Sequence, residues 1–117
     1  MSTYLKDMGT LTIVDGATLS NILTGFEDCD AAYIFSNSQS TAFTGTVTVR
    51  VSGVAGAATT TTNAWADLTS GGSDVTIAAG NSVPITDTAF YSLMVASSGS
   101  EVADISFRVV GRFRVAR

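Results

Sequence analysis

Thr46-Val47-Thr48-Val49-Arg50-Val51-Ser52 decides the fold class. Every odd position is Val, and the even positions are Thr, Arg or Ser. Successive side chains of a strand point to opposite faces, so Val47, Val49 and Val51 form an apolar face and Thr46, Thr48, Arg50 and Ser52 a polar one. All but two of these residues are β-branched, which disfavours helix and favours a half-buried strand.

The chain ends on a second run of this kind, Phe107-Arg108-Val109-Val110-Gly111-Arg112-Phe113-Arg114-Val115. Odd positions are apolar or Gly, and Arg108, Arg112 and Arg114 fall on the even side, interrupted by Val110. One face is oily and the other is a row of arginines. With Arg117, four of the six basic residues lie in the last ten positions, while all ten acidic residues precede Ile105. Up to Asp104 two basic residues stand against ten acidic ones, a charge of −8, and the remainder of the chain carries +4. An acidic body with a basic strand at 105–117 points to contact with copies of itself or with another acidic surface.

Working outward from these two strands, the other segments read as further short strands. Gly9 to Val14 alternates and ends at Asp15-Gly16. Ala17 to Leu23 is ambiguous, with Leu19, Ile22 and Leu23 at helical spacing and Asp15 or Thr18 able to cap a turn, and the all-β context favours a strand. Glu27-Asp28-Cys29-Asp30 is a polar loop before the apolar run Ala32 to Ser36. Residues 53–63, GVAGAATTTTN, are small and uncharged and read as a flexible loop or hairpin tip. Ala64 to Leu68, Val75 to Ala78, Ser82 to Thr86 and Phe90 to Ala96 follow, separated by Gly-rich turns, and Pro84 places its run at a sheet edge or bulge. Eight or nine short strands with turns every eight to twelve residues predict one antiparallel β-sandwich, jelly-roll-like, over residues 1–117.

Composition narrows the function classes. Charged residues make up 14% of the chain, against about 25% in ordinary soluble domains, with Ser, Thr and Gly in their place. Such a surface has fewer long side chains to order at a contact. The net charge of −4 argues against nucleic acid as the main partner. The start, MSTYLKDMG, shows no apolar leader, and no run is long and apolar enough for a membrane helix. The single Cys29 excludes an internal disulfide and reads as a small buried thiol.

Catalytic chemistry finds little to work with. The chain has no His, and its carboxylates form no pair poised as acid and base. Glu27, Asp28 and Asp30 could ligand a hard cation, although such loop clusters are usually just solvated, and Asp67 and Asp74, flanking the Gly71-Gly72 turn, could do the same but read rather as its caps. The expectation is therefore no enzyme, no cofactor and no metal. Trp65, Tyr33, Tyr91 and Tyr4 are the residues a sugar-stacking platform would use, although a lone Trp in a sandwich is commonly a core anchor.

The order of the segments carries a resemblance: Asp15-Gly16 with Leu19-Ser20-Asn21, Ala32-Tyr33-Ile34-Phe35, Thr44 to Val51, Trp65-x-x-Leu68 with Ser70 to Val75, Ala79 to Val83, Phe90-x-x-Leu93 and Phe107-x-Val109-x-Gly111. It resembles the small β-sandwich structural proteins encoded among the virion genes of tailed bacteriophages. The resemblance implies assembly in the virion, first as a capsid decoration (cement) protein, self-associating with a trimer favoured and contacting the major capsid protein. A head–neck or tail component is the alternative, and a carbohydrate-binding module a second. The candidate interface comprises Arg108, Arg112, Arg114 and Arg50, with Glu27, Asp28 and Asp30 as the acidic loop that a neighbour's arginines would meet.

Overall fold

A computed structural model describes residues 2–37, 43–61, 63–86 and 88–115, and they are all-β, without helix. The strands are β1 (Thr3–Ile13), β2 (Leu23–Thr24), β3 (Cys29–Ser36), β4 (Val47–Ser52), β5 (Trp65–Asp67), β6 (Thr69–Ser70), β7 (Ser73–Asp74), β8 (Thr76–Ile77), β9 (Ser82–Ile85), β10 (Ser92–Ser97) and β11 (Ile105–Arg114). One sheet has the order β1-β11-β3-β9 and the other β2-β10-β4-β5, with β8 also on β4. The named strand pairings are antiparallel, and the chain crosses from one sheet to the other at each step before β4 and after β8, so both layers share one core.

The alternation in the sequence becomes the inward face of each layer. Val47 and Val49 of β4 and Ile105, Phe107 and Val109 of β11 are buried among Leu11, Ile13, Ile34, Ile85, Leu93 and Val95. Each such side chain contributes about 1.5–3 kcal/mol on leaving water. Phe26 and Phe90 (centroids 5.4 Å apart) and Phe43 and Phe107 (5.6 Å, edge-on) seal the sandwich.

Several elements differ from the sequence reading. Among the described residues eleven strands appear instead of eight or nine, because four of them are two-residue pieces. β5 and β8 both pair with β4, and between them the chain leaves the sheet to form the β6–β7 hairpin. Ala17–Leu23 is not a continuous strand: Thr18, Leu19 and Ser20 meet β10 through a single bridge, Leu19 to Ala96, and its flanking hydrogen bonds to Val95 and Ser97, and Leu23 opens the short β2. β1 begins six residues earlier than its alternation suggests, because a bulge at Asp7/Gly9 resets the alternation. Gly9 sits there at φ 119°, a conformation L side chains avoid, and a Cβ would press on Leu23 at 3.0 Å. Pro84 lies on β9, at the edge of its sheet.

Residues 53–61 fold into consecutive turns, with Ala57 N–H donating to Val54 O and Thr61 N–H to Ala58 O. Trp65 Nε1 donates to Ala58 O at 2.8 Å and holds them against β5. Thr62 of the proposed flexible loop and Arg117 of the basic strand lie outside the described residues.

Candidate assembly face

The outward face of the β1-β11-β3-β9 sheet gathers most of the residues singled out in the sequence. Its register sets Arg108 beside Thr10 and Phe35, Val110 beside Asp7 and Tyr33, Arg112 beside Leu5 and Ala31, and Arg114 beside Thr3. Arginines therefore interleave with Leu5, Tyr33, Phe35 and Val110 on one surface. Leu5 is 64% exposed and Phe35 41%. Arg and aromatic residues are the types enriched at protein interfaces, and large apolar side chains grouped on a sheet face mark contact surfaces.

The arginines are partly engaged within the chain. Asp30 Oδ2 lies 3.4 Å from Arg112 Nη2 and 3.9 Å from Arg114 Nε, and Asp7 Oδ2 lies 3.6 Å from Arg108 Nη1. Asp30 of the acidic loop is thus a neighbour of the arginine row in its own chain, because β3 lies beside β11 in antiparallel register. These pairs are solvent-exposed, so each contributes about 0–1 kcal/mol and leaves the guanidinium groups available to a further acceptor. Arg112 Nε is buried and has no hydrogen-bond partner among the described residues. Glu27, Asp28, Asp30, Thr88 and Arg114 line an open cleft of about 290 Å³.

Arg50 does not join this surface. It lies on β4 in the other sheet, where its Nε sits 3.3 Å from Asp67 Oδ1. Asp67 is therefore a cross-strand partner and not a cap of the Gly71-Gly72 turn. Among the described residues no group of three or more His, Cys, Asp or Glu side chains is placed to hold a metal ion. The aromatic set is dispersed: Tyr33 faces outward on β3, Tyr4 stacks on Phe113 (5.8 Å) on the opposite face, and Trp65 belongs to the other sheet. Cys29 is buried, its Sγ donates to Ala31 O at 2.7 Å, and burial pushes its thiol above the ordinary value.

Sequence reasoning passed over Glu101. Its side chain is 3% exposed. Oε1 accepts the Thr44 amide (2.9 Å), and Oε2 accepts the Gly45 amide (2.9 Å) and Ser97 Oγ–H (2.7 Å). Burial raises its pKa, but the bonds from Ser97, Gly45 and Thr44 outweigh burial and hold the carboxyl below its ordinary value. The Glu101 backbone bonds Gly16 and Ala17, so one residue ties three loops at one end of the sandwich. A carboxylate fully occupied in this way is a structural latch.

No protein-family model and no curated protein matches the chain. Solved structures are similar in shape. A protein from work on Bacillus endospore appendages, described as a family of disulfide-linked pili, is 17% identical with a TM-score of 0.49, over 98% of this chain and 90% of that one. The Yersinia pseudotuberculosis-derived mitogen is 13% identical with a TM-score of 0.40, over 99% and 87%. Both neighbours are β-rich, and likeness at this level carries no argument about role.

Proposed function

We propose that this chain is a non-enzymatic structural part of a tailed-phage virion, in first place a decoration protein on the capsid exterior. The observation that carries an assembly role is the outward face of the β1-β11-β3-β9 sheet, where Arg108, Arg112 and Arg114 interleave with exposed Leu5 and Phe35. The virion setting comes from the order of the sequence segments. The mechanism is adhesive. Apolar side chains supply buried area, and arginines supply charge-assisted hydrogen bonds that fix register against acidic groups of a neighbouring copy or of the major capsid protein. Many weak copies acting together reinforce a shell by multivalency.

The test is co-sedimentation of the purified protein with undecorated capsids of the phage that encodes it. Saturable binding at a fixed copy number per capsid, weakened by salt, supports the reading. No binding to capsids, with incorporation into necks or tails, selects the alternative site in the virion. Binding to neither removes the proposal.

A further inference from the structure

β1 is an edge strand whose two halves differ. Antiparallel ladders alternate residues whose backbone groups bond the partner strand with residues whose groups face away. Val115 N–H donates to Ser2 O at 3.0 Å, so Ser2, Tyr4 and Lys6 turn their backbone toward β11, and Thr3, Leu5 and Asp7 turn theirs outward. The bulge at Asp7/Gly9 reverses this, and Thr10 and Thr12 face outward in the second half. There the fold supplies its own cap: Asn21 Oδ1 accepts the Thr12 amide at 2.8 Å, and Asn21 Nδ2 donates to Thr10 O at 3.0 Å. The amide side chain stands in for a neighbouring strand. Across Thr3–Asp7 no second strand lies against β1 among the described residues. The opposite edge of the sheet is the four-residue β9, which carries Pro84. An open, long edge with apolar side chains is a template for pairing with another chain.

We infer that Thr3–Asp7 pairs edge to edge with Thr3–Asp7 of a second copy, antiparallel and centred on Leu5. The self-complementarity of the segment selects both occupant and register. Centring on Leu5 sets Leu5 against Leu5, Tyr4 against Lys6 and Thr3 against Asp7. The outward backbone groups of Thr3, Leu5 and Asp7 then meet the same groups of the copy and close hydrogen-bonded pairs. Lys6 already lies over the Phe113 ring at 5.8 Å and Tyr4 stacks on that ring, so the Tyr4–Lys6 pairs bring a cation beside aromatic faces. Centring on Lys6 or on Asp7 would set like charges opposite each other, which is destabilising. The two arginine rows would stand three strand spacings apart, about 14 Å, beyond the Debye length of about 8 Å at physiological salt, so their repulsion is screened. The result is a continuous eight-stranded sheet about a two-fold axis. This contact deepens the assembly reading by naming one interface, and it rests on self-association but not on the virion setting.

The experiment uses Leu5→Cys in the full chain with oxidised glutathione, beside Val102→Cys as an exposed control and the parent with its buried Cys29. Opposed residues of a hydrogen-bonded pair have Cα atoms about 5.5 Å apart, within disulfide range. The expected result is a covalent dimer for Leu5→Cys well above both controls. A second variant, Leu5→Pro, removes an amide that faces away from β11; the proposal expects native circular dichroism and association weakened about tenfold or more. Cross-linking of Leu5→Cys no greater than that of Val102→Cys overturns the pairing. If the parent still self-associates in that case, assembly stands and uses another surface.

Discussion

Replacing Glu101 by Gln keeps the shape of the side chain and removes its charge. The carboxylate accepts three hydrogen bonds, from the amides of Thr44 and Gly45 and from Ser97 Oγ. Gln offers one oxygen and one NH2, so at least one backbone amide meets a donor and is left unsatisfied. A buried unsatisfied donor costs about 1–3 kcal/mol, and bonds to charged groups are worth about 1.5–3 kcal/mol each. The combined loss is about 2–4 kcal/mol, or a fall in Tm of about 8–16 °C for a domain of this size. Thermal and urea unfolding followed by Trp65 fluorescence measure it. The pH dependence gives a second check. The folded pKa of Glu101 is lowered, so its stabilisation is complete above the ordinary carboxylate value and is lost as pH falls through the folded value. The gap between parent and Glu101→Gln therefore narrows in acid. A variant within about 0.5 kcal/mol of the parent at neutral pH, the range of ordinary surface changes, refutes the latch.

Three further outcomes follow from the same geometry. Gly45→Ala destabilises by about 1–3 kcal/mol, because a Cβ there overlaps Ser97 Oγ and the Gly99 amide; denaturant midpoints read it. Changing Arg108, Arg112 and Arg114 together to Ser leaves unfolding nearly unchanged, since their ion pairs are exposed, yet weakens binding to undecorated capsids and flattens its salt dependence in co-sedimentation. Trp65→Phe removes the bond to Ala58 O, costs about 1 kcal/mol and speeds amide exchange around Ala58–Thr61 while β11 amides keep their protection.

The parts of this fold legible in the sequence are those where burial on one face imposes alternation. β4 and β11 each press one side on the core, and the Val and Phe positions name that side directly. Ser82–Ile85 was legible as an edge through Pro84. The first half of β1 was not, because Thr3 to Asp7 is exposed on both faces and nothing there enforces a period of two. Asn21 and the Asp30 pairs depend on which strands become neighbours, a long-range fact that local spacing does not contain. Glu101 sits in a Gly- and Ser-rich loop of the kind that is ordinarily solvated. Only the approach of residues 44–45 and 97 from elsewhere in the chain turns it into a buried acceptor. The arginine row was visible as composition, whereas its mixture with Leu5, Tyr33 and Phe35 emerges from the register of three strands.

Solution mass by light scattering across a range of concentrations tests self-association most directly. The account predicts growth in whole multiples of the 12.0 kDa chain as concentration rises. A mass fixed at 12.0 kDa up to millimolar protein contradicts it.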